Sequence, residues 1–110
     1  MAYDVELADR LRDLVEGEPG LSEKKMFGGL AFLVHGNMAV AASSKGGLLL
    51  RVDPDRTDEL LEHPHAEPFE MQGRGAKGWL RIDPAGLASD DDLQRWTEVG
   101  LAYASSLPPK

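Results

Sequence analysis

Between Glu23 and Val52 the hydrophobic pattern takes on the period of a sheet, and glycines cut the apolar runs into strand-length pieces. Leu30 to His35 and Met38 to Ala42 are β-like runs on either side of Gly36-Asn37. Glycine in the first central position is a type II′ hairpin signal. A two-residue turn there sets His35 against Met38, Val34 against Ala39, Leu33 against Val40 and Phe32 against Ala41. One sheet face then carries Leu30, Phe32, Val34, Ala39 and Ala41. The other carries Ala31, Leu33, His35, Met38 and Val40. Both faces are largely apolar, whereas a hairpin with one wet face alternates with polar residues. The second face therefore needs a cover, either the chain itself or another protein. Ala31, Leu33, Met38 and Val40 are its candidate interface residues, for a homodimer or a docked partner.

The flanks have a different period. Asp4 can cap a helix running to about Glu16, with Leu7, Leu11 and Leu14 on one face and Gly17, Pro19 and Gly20 to end it. Glu23 to Phe27 reads as extended, and Gly28-Gly29 predicts a bulge that bends one long strand. The pair lacks the third glycine and following helix of a dinucleotide fingerprint. Ser43 to Gly47 reads as a loop and Leu48 to Val52 as a strand. Asp53-Pro54 opens a second helix to about Glu62, stopped before Pro64. Phe69-Glu70-Met71 and Trp79-Leu80-Arg81-Ile82 read as two more strands around a Gly-rich connection. Ser89 caps a last helix, and Asp90, Asp91 and Asp92 suit its positive end. Leu93, Trp96, Thr97, Gly100, Leu101 and Ala104 form its inward stripe. The expected order is α-βββ-α-ββ-α, an α+β fold. A single domain over residues 1–110 is expected, with residues 106–110 as a frayed tail.

Composition narrows the function classes. The formal net charge of −7 opposes direct nucleic-acid binding by the surface as a whole. The charge is uneven: residues 53–70 hold seven acids against Arg56 alone, while residues 71–82 hold Arg74, Lys77 and Arg81 and no acid. With no cysteine there is no disulfide framework and no thiolate chemistry, which suits the cytoplasm. The acidic start Met1-Ala2-Tyr3-Asp4 is no signal peptide, and an apolar stretch such as Leu30 to Val34 is far short of a membrane span.

Candidate chemistry is sparse. Gly73-Arg74-Gly75-Ala76-Lys77-Gly78 offers a Gly-rich backbone and two cations to an anion, with Trp79 beside it to stack on a ring. The plainer reading is a hairpin loop with solvated charges and a core tryptophan; Walker spacing is absent. Arg74, Lys77 and Trp79 are the candidate anion- or partner-binding residues. His63-Pro64-His65, with Glu62 and Glu67 nearby, can present two metal ligands, but a zinc site wants three or four, and a helix exit explains the same residues. His35 has no sequence neighbour to make it a base, and Ser43 and Ser44 lack the turn of a nucleophile elbow. No catalytic residue, metal or cofactor is assigned.

Met26-Phe27-Gly28-Gly29-Leu30-Ala31-Phe32, a turn, then Leu49-Leu50-Arg51-Val52-Asp53 resembles the N-terminal domain family of TfoX and Sxy proteins. Pro68-Phe69-Glu70-Met71, Gly73-Arg74 and Lys77-Gly78-Trp79-Leu80 continue the likeness, which spans roughly residues 4–105. The resemblance implies a two-layer α/β sandwich with a five-stranded antiparallel sheet in order 1-2-5-4-3, a topology like that of secretion chaperones, with one sheet face free of helices. Full-length TfoX and Sxy proteins regulate bacterial natural competence together with a cyclic-AMP-responsive transcription factor, and carry a second domain of helix-hairpin-helix character. This chain is expected to be a standalone single-domain member. The family supplies no catalytic residues. The expectation is a non-enzymatic regulatory module in the bacterial cytoplasm, working through contacts with a protein partner or with a second copy of itself. The alternative is a small-ligand or anion-binding domain with an unassigned activity, enzymatic or not.

Overall fold

The computed structural model describes residues 4–26, 28–44, 46–71 and 74–109. Helix α1 spans Val5–Val15, with Asp4 Oδ1 accepting the Leu7 amide at 3.1 Å as its N-cap. Its stripe of Leu7, Ala8, Leu11 and Val15 is buried. The strands β1 (Leu21–Met26), β2 (Gly29–Val34), β3 (Asn37–Ala42) and β4 (Leu48–Arg51) follow as an antiparallel meander. A 3-10 turn (Pro54–Arg56) leads into the short helix α2 (Thr57–Leu61). Strands β5 (Ala66–Met71) and β6 (Arg74–Ile82), a second 3-10 turn (Pro84–Leu87) and helix α3 (Asp90–Ser106) complete the chain. Both Asp-Pro pairs do the same local work: Asp53 caps the first 3-10 turn through the Asp55 amide, and Asp83 caps the second through Gly86. The expected long second helix is therefore a 3-10 turn plus a five-residue helix.

The α+β class holds, but the sheet has six strands in the order β1-β2-β3-β4-β6-β5, not five in the order 1-2-5-4-3. The extra strand comes from Gly28-Gly29. Met26 pairs with Gly29, so the chain reverses there instead of bulging, and Gly28 takes φ +78°. β1 becomes an edge strand whose Ser22, Glu23, Lys24 and Lys25 are exposed, charge that discourages pairing with another sheet edge. Short loops keep β4 beside β3, and the crossover through α2 puts β5 at the far edge, so that β6 returns between β4 and β5.

The central hairpin also differs from expectation. Val34 pairs with Asn37, so the turn residues are His35 and Gly36, one position earlier than expected. Both have positive φ, +50° and +84°, the type I′ signature that matches strand twist. Asn37 is thereby drawn into β3, where its side chain is 2% exposed and its Nδ2 donates to the Pro108 carbonyl at 2.9 Å. A bulge follows: Leu33 pairs with Met38 but Phe32 with Val40, leaving Ala39 as the extra residue. Every residue beyond a one-residue slip changes face. Val40, expected beside Ala31, Leu33 and Met38, lies instead in the helix-covered core, and Ala41 takes its place.

The helix side of the sheet holds the main core: Leu11, Phe32, Val40, Leu48, Leu50, Leu80, Ile82 and Leu93 among others. α3 crosses β3 at Gly100, where a Cβ would stand 2.6 Å from the Ala39 carbonyl oxygen, so only glycine permits that approach. Arg12 of α1 grips Glu23 of β1 with two bonds, 2.9 and 3.0 Å, and this guanidinium holds the Glu23 carboxyl below its usual range. The opposite side holds a second apolar cluster, Ala31, Met38, Ala41 and Leu49, with half-buried Leu33, Phe69 and Trp79 packed against it. Among the described residues, no helix contributes to that cluster.

Candidate functional site

Two surfaces can carry function, and Trp79 with Arg51 stands between them. Arg51 ends β4 and pairs in register with Trp79 of β6. Its guanidinium lies 5.7 Å from the Trp79 ring centre and 5.6 Å from that of Tyr103 on α3. Such contacts are worth about 0.5–1 kcal/mol each at partly exposed sites. Arg51 thus ties the helix-free face of the sheet to the outer flank of α3.

Beyond Arg51 the chain turns through Asp53 and Arg56. These face Arg95, Glu98, Val99, Ala102 and Tyr103 across a groove of about 440 Å³. The α3 residues recur at i, i+3, i+4, i+7 and i+8, a second stripe beside the buried one. The turn is held by a latch of three hydrogen bonds. The Gly78 amide donates to Thr57 Oγ1 at 2.9 Å, Thr57 Oγ1 donates to the Asp53 carbonyl at 3.4 Å, and the Val52 amide donates to the Gly78 carbonyl at 2.8 Å. Gly78 reaches them because β6 bulges between its Leu80–Pro68 and Gly75–Glu70 pairs. The backbone expected as a loop over residues 74–78 is accordingly strand. The side chains of Arg74 and Lys77 lie outside the described residues, so of that candidate trio only Trp79 is placed, half-buried against Phe69 at 6.2 Å.

The histidines are engaged otherwise. His63 meets Trp96 edge-on at 4.9 Å, and its Nδ1 accepts the His65 amide at 3.3 Å. His65 Nδ1 lies 3.3 Å from an Asp83 carboxylate oxygen. Burial raises the Asp83 carboxyl's pKa, but the Gly86 amide, the His65 ring and the Ala85 amide outweigh it and leave the group lowered. His63 and His65 therefore join α2's exit to α3 and to the second 3-10 turn. Among the described residues no group of three or more His, Cys, Asp or Glu is placed to hold a metal ion. His35 sits in its turn with its ring over Gly20, and Asp90 pairs with Arg10 at 3.0 Å.

Ala31 and Met38 are 0% and 4% exposed, so they form the floor of the helix-free face; Leu33, Phe69 and Trp79 are half-buried and reach solvent at its rim. This arrangement of strands and helices coincides with a family match. The family model for the TfoX N-terminal domain matches residues 13–104. The chain belongs to the TfoX N-terminal domain family. No curated protein and no solved structure matches it. The matched span runs from within α1 to within α3, so it includes all six strands of this TfoX N-terminal domain and both candidate surfaces. Among its described residues no helix is long and apolar enough to cross a membrane.

The groove was not singled out from the sequence. Arg95, Val99 and Tyr103 do carry a signal, a second stripe at helical spacing. Asp53 and Arg56 belong to it only through the fold, because the turn after β4 comes to lie beside α3.

Proposed function

We propose that this TfoX N-terminal domain is a non-enzymatic regulatory module of the bacterial cytoplasm that acts through protein contacts, in transcription or competence-type regulation. The family membership supports regulation. The observation that carries the contact surface is the apolar cluster on the sheet face opposite the helices. A sheet face that no helix covers is suited to meet another protein, and its rim of Leu33, Phe69 and Trp79 supplies aromatic and aliphatic anchors of the kind that dominate interfaces. The net charge of −7 favours a protein over a nucleic acid as the partner.

The test is affinity capture from the native host with mass-spectrometric readout, run in parallel on the unchanged chain and on Leu33→Asp. A component of the transcription machinery recovered with the first and lost with the second supports the reading. Recovery of no such component, or equal recovery with both, refutes it. If the partner is a second copy, sedimentation of the unchanged chain depends on its concentration and that of Leu33→Asp does not.

A further inference from the structure

We infer that the groove between the Pro54–Arg56 turn and α3 binds a small, flat organic carboxylate. The inference is independent of the protein-contact face. It begins with charge. On a chain of net charge −7, two arginines, Arg56 and Arg95, line one groove, and a third, Arg51, stands against the ring of its Tyr103. Among the described residues Arg95 makes no hydrogen bond or ion pair. Arg51 makes none either and meets only the two rings. Arg56 has a loose pairing with Glu59 at 3.5 Å.

The acids of the groove, Asp53 and Glu98, match Arg56 and Arg95 in charge, yet their hydrogen bonds go to the fold and not to these arginines. Asp53 Oδ1 accepts the Asp55 amide at 2.9 Å, and Glu98 Oε1 accepts Gln94 Nε2 at 3.1 Å. The groove therefore keeps unused guanidinium donors beside carboxylates already committed to the fold. A guanidinium fork matches a carboxylate with two parallel bonds. Val99, Ala102 and the Tyr103 ring provide an apolar wall against which a flat body can lie. The volume, about 440 Å³, falls within the range of small-molecule sites.

Asp53 and Glu98 also set the specificity. Their negative charges oppose a ligand carrying two or more charges, while a single carboxylate can reach Arg95 and leave its uncharged body toward α3. The site thus favours an aromatic monocarboxylate over inorganic phosphate, and over acetate, which has no body to place against Tyr103.

The test is a titration of the full chain with benzoate, acetate and inorganic phosphate, followed by amide chemical shifts. Benzoate is expected to give saturable shifts at Arg95, Val99, Ala102 and Tyr103, with acetate and phosphate weaker by about tenfold or more, the loss of roughly one charge-assisted contact. Arg95→Ala, at an exposed position with no partner to lose, should weaken benzoate by about tenfold and leave the melting temperature unchanged. Shifts that never saturate, that fall outside the groove, or that survive Arg95→Ala overturn the inference. Failure here leaves the Leu33→Asp result untouched, since Leu33 belongs to the other surface.

Discussion

The two faces of the sheet are both apolar, yet they are built for different ends. On one face, Phe32, Val40, Leu48, Leu50 and Leu80 are fully buried beneath helices, and α3 comes close enough at Gly100 to touch backbone. On the other, Ala31, Met38, Ala41 and Leu49 form a thin buried floor rimmed by half-buried Leu33, Phe69 and Trp79, with no described helix residue among them. Two small alanines take the place of bulky residues there. Large side chains under a helix supply stability; a thin floor with half-buried side chains at its rim leaves a surface that another molecule can meet.

Adjacent residues on opposite faces break this comparison most sharply. Phe32→Ala should lower unfolding free energy by about 3–5 kcal/mol, since it empties a filled core. Leu33→Ala, one position along and half-buried, should cost only about 1 kcal/mol. Urea unfolding of both variants decides it, and equal losses would erase the distinction between the faces.

Thr57→Val probes the latch that fastens the helix side to β6, the strand carrying Trp79. It leaves the shape but removes the acceptor for the Gly78 amide, a buried donor. The expected loss is about 1–3 kcal/mol in the same assay, and Thr57→Ser, which keeps the hydroxyl acceptor, should lose much less.

The smallest effect is pH dependence. Glu23 and Asp83 both have lowered pKa values in the folded chain. Between the native and unfolded values the unfolded chain binds more protons, so their contribution is complete above the ordinary carboxylate range and disappears as pH falls through the native values. Thermal melts below that range should fall less steeply with acid for Glu23→Gln than for the unchanged chain. A parallel decline would mean that the Arg12 pairing contributes nothing.

Elements whose signals are local were legible in the sequence. Asp4 and Ser89 cap their helices, and the buried stripe of α3 follows its spacing. The sheet departs from the expected one wherever a glycine has two uses. Gly28 can bulge a strand or reverse it, and nothing within a few residues decides between them. Gly36 can occupy either position of a two-residue turn; the Asn37–Pro108 bond, made with the far end of the chain, accompanies the choice. The Ala39 bulge moved Val40 across the sheet for the same kind of reason, since β3 conforms to α3 at Gly100. Of the site, Trp79 is legible as an aromatic near cations, either a stacking ring or a core side chain, and the fold leaves it half-buried. Its partner Arg51 is not legible there, because strand pairing between β4 and β6 brings them together.

The claim at the centre is that the helix-free face, and not the arginine groove, meets the protein partner. Affinity capture with Leu33→Asp and Arg95→Ala side by side tests it most directly. The account predicts that Leu33→Asp loses the transcription-machinery component while Arg95→Ala retains it, both variants melting cooperatively. Loss with Arg95→Ala and retention with Leu33→Asp would contradict it.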